Sequence, residues 1–163
     1  MKDVFNFFVL FSIFEWALKN STKFIRTPYA NLSNVGPDWD KFGNYIEAKF
    51  NLLSNPNIDK ILNSPPKIQI LKDSRIEWID DIRISKDIPK VKKVIYCLLN
   101  TRNNLFHWWK YETGFKKDSR NIKVLSWSKS ILMDLIELNQ DVKTQFLIEY
   151  EAVKDDLELG EIQ

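Results

Sequence analysis

The stretch Thr101-Arg102-Asn103-Asn104-Leu105-Phe106-His107 holds the residues of this chain best suited to chemistry, and His107 is its only histidine. A helix turns by about 100° per residue, so Arg102 and His107, five positions apart, stand about 140° round the axis and flank one groove. Asn103 and His107 are four apart and share a face. These types suit RNA cleavage. An imidazole with a pKa near neutrality takes the proton of a ribose 2′-OH. A guanidinium, always charged and fork-shaped, holds the phosphate as negative charge grows. Asn103 is placed to orient the imidazole or to hydrogen-bond the phosphate. The reaction needs no metal, and no cofactor is implied. The same residues also have a purely structural reading, with His107 as a cation facing the C-terminal end of the helix dipole and Arg102 as a solvated side chain.

The elements that must position this stretch are helical. Phe5, Phe8, Phe11 and Leu18 follow helical spacing, while Phe7, Val9, Phe14 and Trp16 fill other faces, which predicts a buried helix from about Asp3 to Phe24. The apolar run Val4 to Phe14 is interrupted by Asn6 and Ser12 and followed by Glu15, so it reads as a core helix and not as a secretory leader. Thr27 to Pro37 reads as a loop. Asp38 or Asp40 caps a second helix with Trp39, Phe42, Ile46, Phe50 and Leu53 on its apolar face. A short helix is open over Asn57 to Asn63. Residues 64–88 contain two alternating runs, Lys67 to Leu71 and Arg75 to Ile79, that fit a hairpin or an ordered loop; their length favours an irregular insertion. A long helix spans about Pro89 to Trp109 and carries the motif. Glu112 to Lys117 reads as a loop broken at Gly114. Asp118 or Ser119 caps a helix from about Arg120 to Leu138, and Asp141 starts the last one. The expected fold is all-α: one domain over residues 1–163, a bundle of four to five main helices with an irregular insertion at about 64–88.

Composition agrees with a globular chain: 44% of its 163 residues are hydrophobic and 28% charged, enough apolar mass for a core. Four Gly and six Pro are too few for a Gly-rich nucleotide loop or for long disorder. The net charge of +2 neither demands nor excludes nucleic acid. Cys97 is the only cysteine, so an internal disulfide is impossible and a cytoplasmic, reducing compartment fits best. It falls on a core-like face and reads as inert packing.

The run Arg102-Asn103-Asn104-Leu105-Phe106-His107 resembles the Arg-x4-6-His motif of HEPN domains, with a polar residue after the arginine. The likeness extends to Phe11-x-x-Phe14-Glu15-x-Ala17-Leu18-Lys19, Pro37-Asp38-Trp39-Asp40, Pro65-Pro66-Lys67 and Asp118-Ser119-Arg120-Asn121, from about Phe5 to Phe146. The resemblance implies a HEPN-like helical bundle that forms a homodimer, the motif helices meeting in one composite cleft. It also implies a metal-independent endoribonuclease of a toxin–antitoxin or phage-defence system, acting on tRNA or mRNA and leaving a 2′,3′-cyclic phosphate, with an antitoxin or defence protein as partner and no membrane. Other members have lost catalysis and bind a partner protein, nucleotides or RNA.

Two departures from that pattern bear on function. Small residues, commonly glycine, often follow the histidine; here Trp108 and Trp109 do. Two indoles can stack on unpaired bases, fill an interface or crowd the cleft. A HEPN subgroup regulated by nucleotidyl transfer carries tyrosine two residues past the histidine, where this chain has Trp109. Among the remaining candidates, Lys110, Lys116, Lys117, Arg120 and Lys123 follow the motif and suit RNA phosphates or a solvated face, and Asn104 lies within the motif. Glu15 sits in an apolar helix where an unpaired carboxylate is costly, so it should find a partner in Arg102 or in a backbone group, as support for the site or as a structural ion pair.

Overall fold

The computed structural model describes residues 2–26, 35–108 and 119–157; of Phe106, His107, Trp108 and Ser119 it describes the helical backbone. Its order is α1 Lys2–Asn20, α2 Trp39–Phe50, α3 Pro56–Asn63, β1 Ile68–Lys72, β2 Arg75–Ile79, α4 Ile82–Ser85, α5 Lys90–Trp108, α6 Ser119–Glu137 and α7 Gln140–Val153. The fold is therefore mostly helical with one small hairpin, and one hydrophobic cluster draws buried side chains from all seven of these helices.

Apolar spacing explains the long elements. In α1, Phe7, Leu10, Phe11, Ile13, Phe14, Ala17 and Leu18 are all buried, so this helix is covered on several sides, by α5, α6 and α7. It stops earlier than expected. Thr22 takes a left-handed backbone (φ 57°), which ends the helix and lets Phe24 turn back against Phe42 at 5.2 Å between ring centroids. In α2, Phe42, Ile46 and Phe50 recur every four residues on the buried face, and the Asp38 carboxylate accepts the backbone N–H of Lys41 at 2.9 Å as the N-cap. Trp39 lies 5.8 Å from Phe11 and 5.9 Å from Phe14, which fixes α2 against α1. The short third helix is present, opened by Pro56 and capped by Asn55.

The segment 64–88 corrects the expectation of an irregular insertion. β1 and β2 pair antiparallel from Ile68↔Ile79 to Lys72↔Arg75, and α4 follows under an Asp81 cap. The turn between the strands is the two-residue pair Asp73-Ser74, both left-handed (φ 47° and 62°). That conformation matches the twist of paired strands, but without glycine it carries no obvious mark in the sequence. The start of the last helix is also corrected: Asn139, not Asp141, caps it, its Oδ1 accepting the Val142 N–H at 3.0 Å.

The central element is α5, in contact with α1, α2, α3, α4, α6 and β1. Val91, Val94, Ile95, Leu98 and Leu105 bury its inner face. Among the described residues no helix is long and apolar enough to cross a membrane. The expected loop at Glu112–Lys117, the cap at Asp118 and most of the Thr27–Pro37 loop lie outside the described residues.

Candidate functional site

The site is built where α5 crosses α1. Phe11 and Glu15 are four apart on α1 and so present one face. Against that face lies Arg102: Nη2 donates to Glu15 Oε2 at 3.0 Å, Nη1 donates to Asn103 Oδ1 at 3.0 Å, and the guanidinium carbon stands 6.0 Å from the centroid of the Phe11 ring. Both charged side chains are partly withdrawn from water, with 28% of Arg102 and 20% of Glu15 exposed. The carboxylate expected to need a partner has Arg102. Burial next to a ring and a carboxylate fixes a long, flexible side chain in one place, which is what a phosphate-holding cation requires.

The helical backbone of α5 continues through His107. At about 100° per residue, His107 occupies a register position about 140° from Arg102 and about 40° from Asn103, one turn further along. Asn103 is exposed between them. One continuous helix therefore sets the register of Arg102, Asn103 and His107, and α1 supplies Glu15.

Asn104 does not join this group. It lies about 200° from Arg102 on the helix, and its Nδ2 donates to the Lys67 carbonyl at 2.8 Å. Arg120, at the start of α6, works on the same segment: Nε donates to Ser64 Oγ at 3.2 Å and Nη2 to the Pro65 carbonyl at 3.0 Å. These two residues pin the chain that leads into the hairpin. Between that lead-in, α5 and α6 lies a cleft of about 220 Å³ whose lining includes Lys67, Trp78 and Asn121 as well as Asn104 and Arg120. Lys67, Trp78 and Asn121 escaped the reading of the sequence as site residues. Lys67 and Asn121 stand in the runs Pro65-Pro66-Lys67 and Asp118-Ser119-Arg120-Asn121, and Trp78 in a short alternating run, but nothing local joins them into one cleft. Trp109, Lys110, Lys116 and Lys117 lie outside the described residues, as does the side chain of Trp108.

Deeper along α5, the polar groups serve the fold. Thr101 Oγ1 donates to the Cys97 carbonyl at 2.9 Å and meets Ser128 Oγ at 3.1 Å, both hydroxyls being buried. Asp81 is almost fully buried and receives Arg83 Nη2 and Asn100 Nδ2, each at 2.7 Å. Burial alone pushes its carboxyl pKa up, but the hydrogen bonds from Arg83 and Asn100 outweigh that and hold it below the ordinary carboxylate value. Cys97 is buried, and burial, with a smaller contribution from Asp81, pushes its thiol up to about 12. Such a thiol is packing, with no nucleophilic character at neutral pH. Among the described residues no group of three or more His, Cys, Asp or Glu side chains gathers as a metal site would.

Comparison with family models, with curated proteins and with solved structures finds no match for this chain.

Proposed function

We propose that this chain is a HEPN-like, metal-independent endoribonuclease of a toxin–antitoxin or phage-defence system, active as a homodimer in the cytoplasm. The observation that carries the reading is the held guanidinium of Arg102, fixed by Glu15 and Asn103 on the helix whose register also carries His107. In the proposed reaction His107 takes the 2′-OH proton. The resulting oxygen attacks the adjacent phosphorus, the bond to the 5′-oxygen breaks, and the leaving oxygen takes up a proton from water. The products are a 2′,3′-cyclic phosphate and a 5′-hydroxyl end. Arg102 stabilises the charge that builds on the phosphate oxygens. The partner motif helix of a second copy completes the cleft.

The test is incubation of purified protein with mixed tRNA and mRNA in EDTA, beside Arg102→Ala and His107→Ala. Wild type should cut while both variants, folded by circular dichroism, do not. Undiminished cutting by both variants would overturn the assignment.

One observation favours a second reading, a catalytically silent module that binds a partner protein, nucleotide or RNA. Glu15 already pairs with the Arg102 guanidinium, so an RNA phosphate must compete with a carboxylate for its positive charge. Tight binding of RNA or of a protein partner by wild type, with no cleavage under any condition, would support it.

A further inference from the structure

We infer that the cleft beneath the hairpin is a binding site for a single unpaired nucleotide, distinct from the Arg102–Glu15 group; this rests on the reading of the chain as an RNA-acting protein. The cleft holds about 220 Å³ between the hairpin lead-in, α5 and α6. Its chemistry is divided in a way that matches one ligand class. The floor is apolar, from Leu105, Val124 and Leu125, all buried. One wall is the indole of Trp78, which is 36% exposed. An indole and apolar side chains lining one cleft suit a flat ring bound among them, as bases are held on aromatic side chains.

Two of the polar side chains in the lining are amides. Asn104 spends its Nδ2 on the Lys67 carbonyl. Its Oδ1, among the described residues, makes no hydrogen bond, and neither does the amide of half-buried Asn121. An acceptor and a donor–acceptor pair beside an aromatic wall complement the edge of a nucleobase. Lys67 stands exposed in the lining, and its ammonium forms no ion pair among the described residues, so it suits the phosphate of the same nucleotide. The lead-in that carries Lys67 is pinned by Asn104 and Arg120, so the lining is formed before any ligand arrives. The two sites share α5. Asn104 stands about 60° from the register position of His107, so a strand whose phosphate lies at the motif passes close to the cleft. The cleft would then seat a base neighbouring the scissile bond.

The experiment is calorimetric binding of 5′-AMP, 5′-UMP and ribose 5-phosphate to the full-length His107→Ala protein, alone and with Trp78→Ala or Asn121→Ala added. At least one nucleotide should bind measurably better than ribose 5-phosphate. Trp78→Ala should weaken it about tenfold, with Trp78→Phe restoring most of the loss. Asn121→Ala, on a helix surface, should weaken it several-fold and change the preference between the two bases. Equal binding of nucleotide and ribose 5-phosphate, or nucleotide binding that ignores both substitutions in folded protein, would overturn the cleft assignment. That failure is separable from failure of the ribonuclease reading. RNA cleavage with an unchanged KM in Trp78→Ala would leave the enzyme standing without the cleft, whereas base-dependent binding without any cleavage would leave the cleft standing without the enzyme.

Discussion

Arg102 Nη2 donates to Glu15 Oε2 at 3.0 Å, an ion pair between residues 87 apart in sequence that ties α5 to α1 beside the Phe11 ring. Because both side chains are partly buried, neither can return fully to water when the other is lost. The pair therefore bears on stability and on the direction in which the guanidinium is held.

Glu15→Ala should cost about 1–2 kcal/mol in urea denaturation, and Glu15→Gln, which keeps an acceptor, should cost less. As a positioning residue for the proposed cleavage, Glu15 should show its effect in kcat: a fall in Glu15→Ala with little change in KM, largely rescued in Glu15→Gln. Loss of stability with cleavage unchanged would reduce Glu15 to a structural partner.

Asp81 should confer acid sensitivity. Its folded pKa lies below the ordinary carboxylate value, because hydrogen bonds from Arg83 and Asn100 outweigh burial. The folded state thus binds its proton less readily than the unfolded chain. Its contribution is fully present above about pH 4 and is lost as the pH falls from there through the folded pKa. Asp81→Asn should destabilise the protein at pH 7 by about 1–2 kcal/mol, and the gap to wild type should narrow at pH 3. A gap that stays constant between the two pH values would refute the ionic contribution.

Cys97 should be silent. With the thiol buried and raised to about 12, a disulfide reagent at pH 8 should label native protein roughly a thousandfold more slowly than a free thiol. In urea the labelling should reach the ordinary rate. Fast labelling of the native protein would place Cys97 at an accessible surface.

Ser74→Gly should tighten the hairpin. Ser74 holds a left-handed backbone (φ 62°) in the two-residue turn, a conformation that costs a residue with a Cβ about 1 kcal/mol. Amide hydrogen exchange in β1 and β2 should slow several-fold. Faster exchange would show that the serine side chain, and not its backbone, secures the turn.

Much of this architecture is legible in the sequence because its causes are local. Phe42, Ile46 and Phe50 recur at helical spacing and Asp38 caps them, so α2 is written within a dozen residues. The buried faces of α1 and α5, and the sharing of one helix by Arg102, Asn103 and His107, follow from the same periodicity. What only the tertiary structure decided depends on neighbours far along the chain. Helical register gives the direction of Arg102, but packing of α1 on α5 puts Glu15 and Phe11 there. Asn104 falls beside Arg102 in sequence and on another face in space, where the lead-in to the hairpin claims its amide. Asn139 and Asp141 are both competent caps by type; burial of Asn139 between α6 and α7 selects it. The hairpin, its Asp73-Ser74 turn and the cleft beneath it arise from strand pairing and from contacts with α5 and α6. A period of two over five residues is too short a signal to announce them.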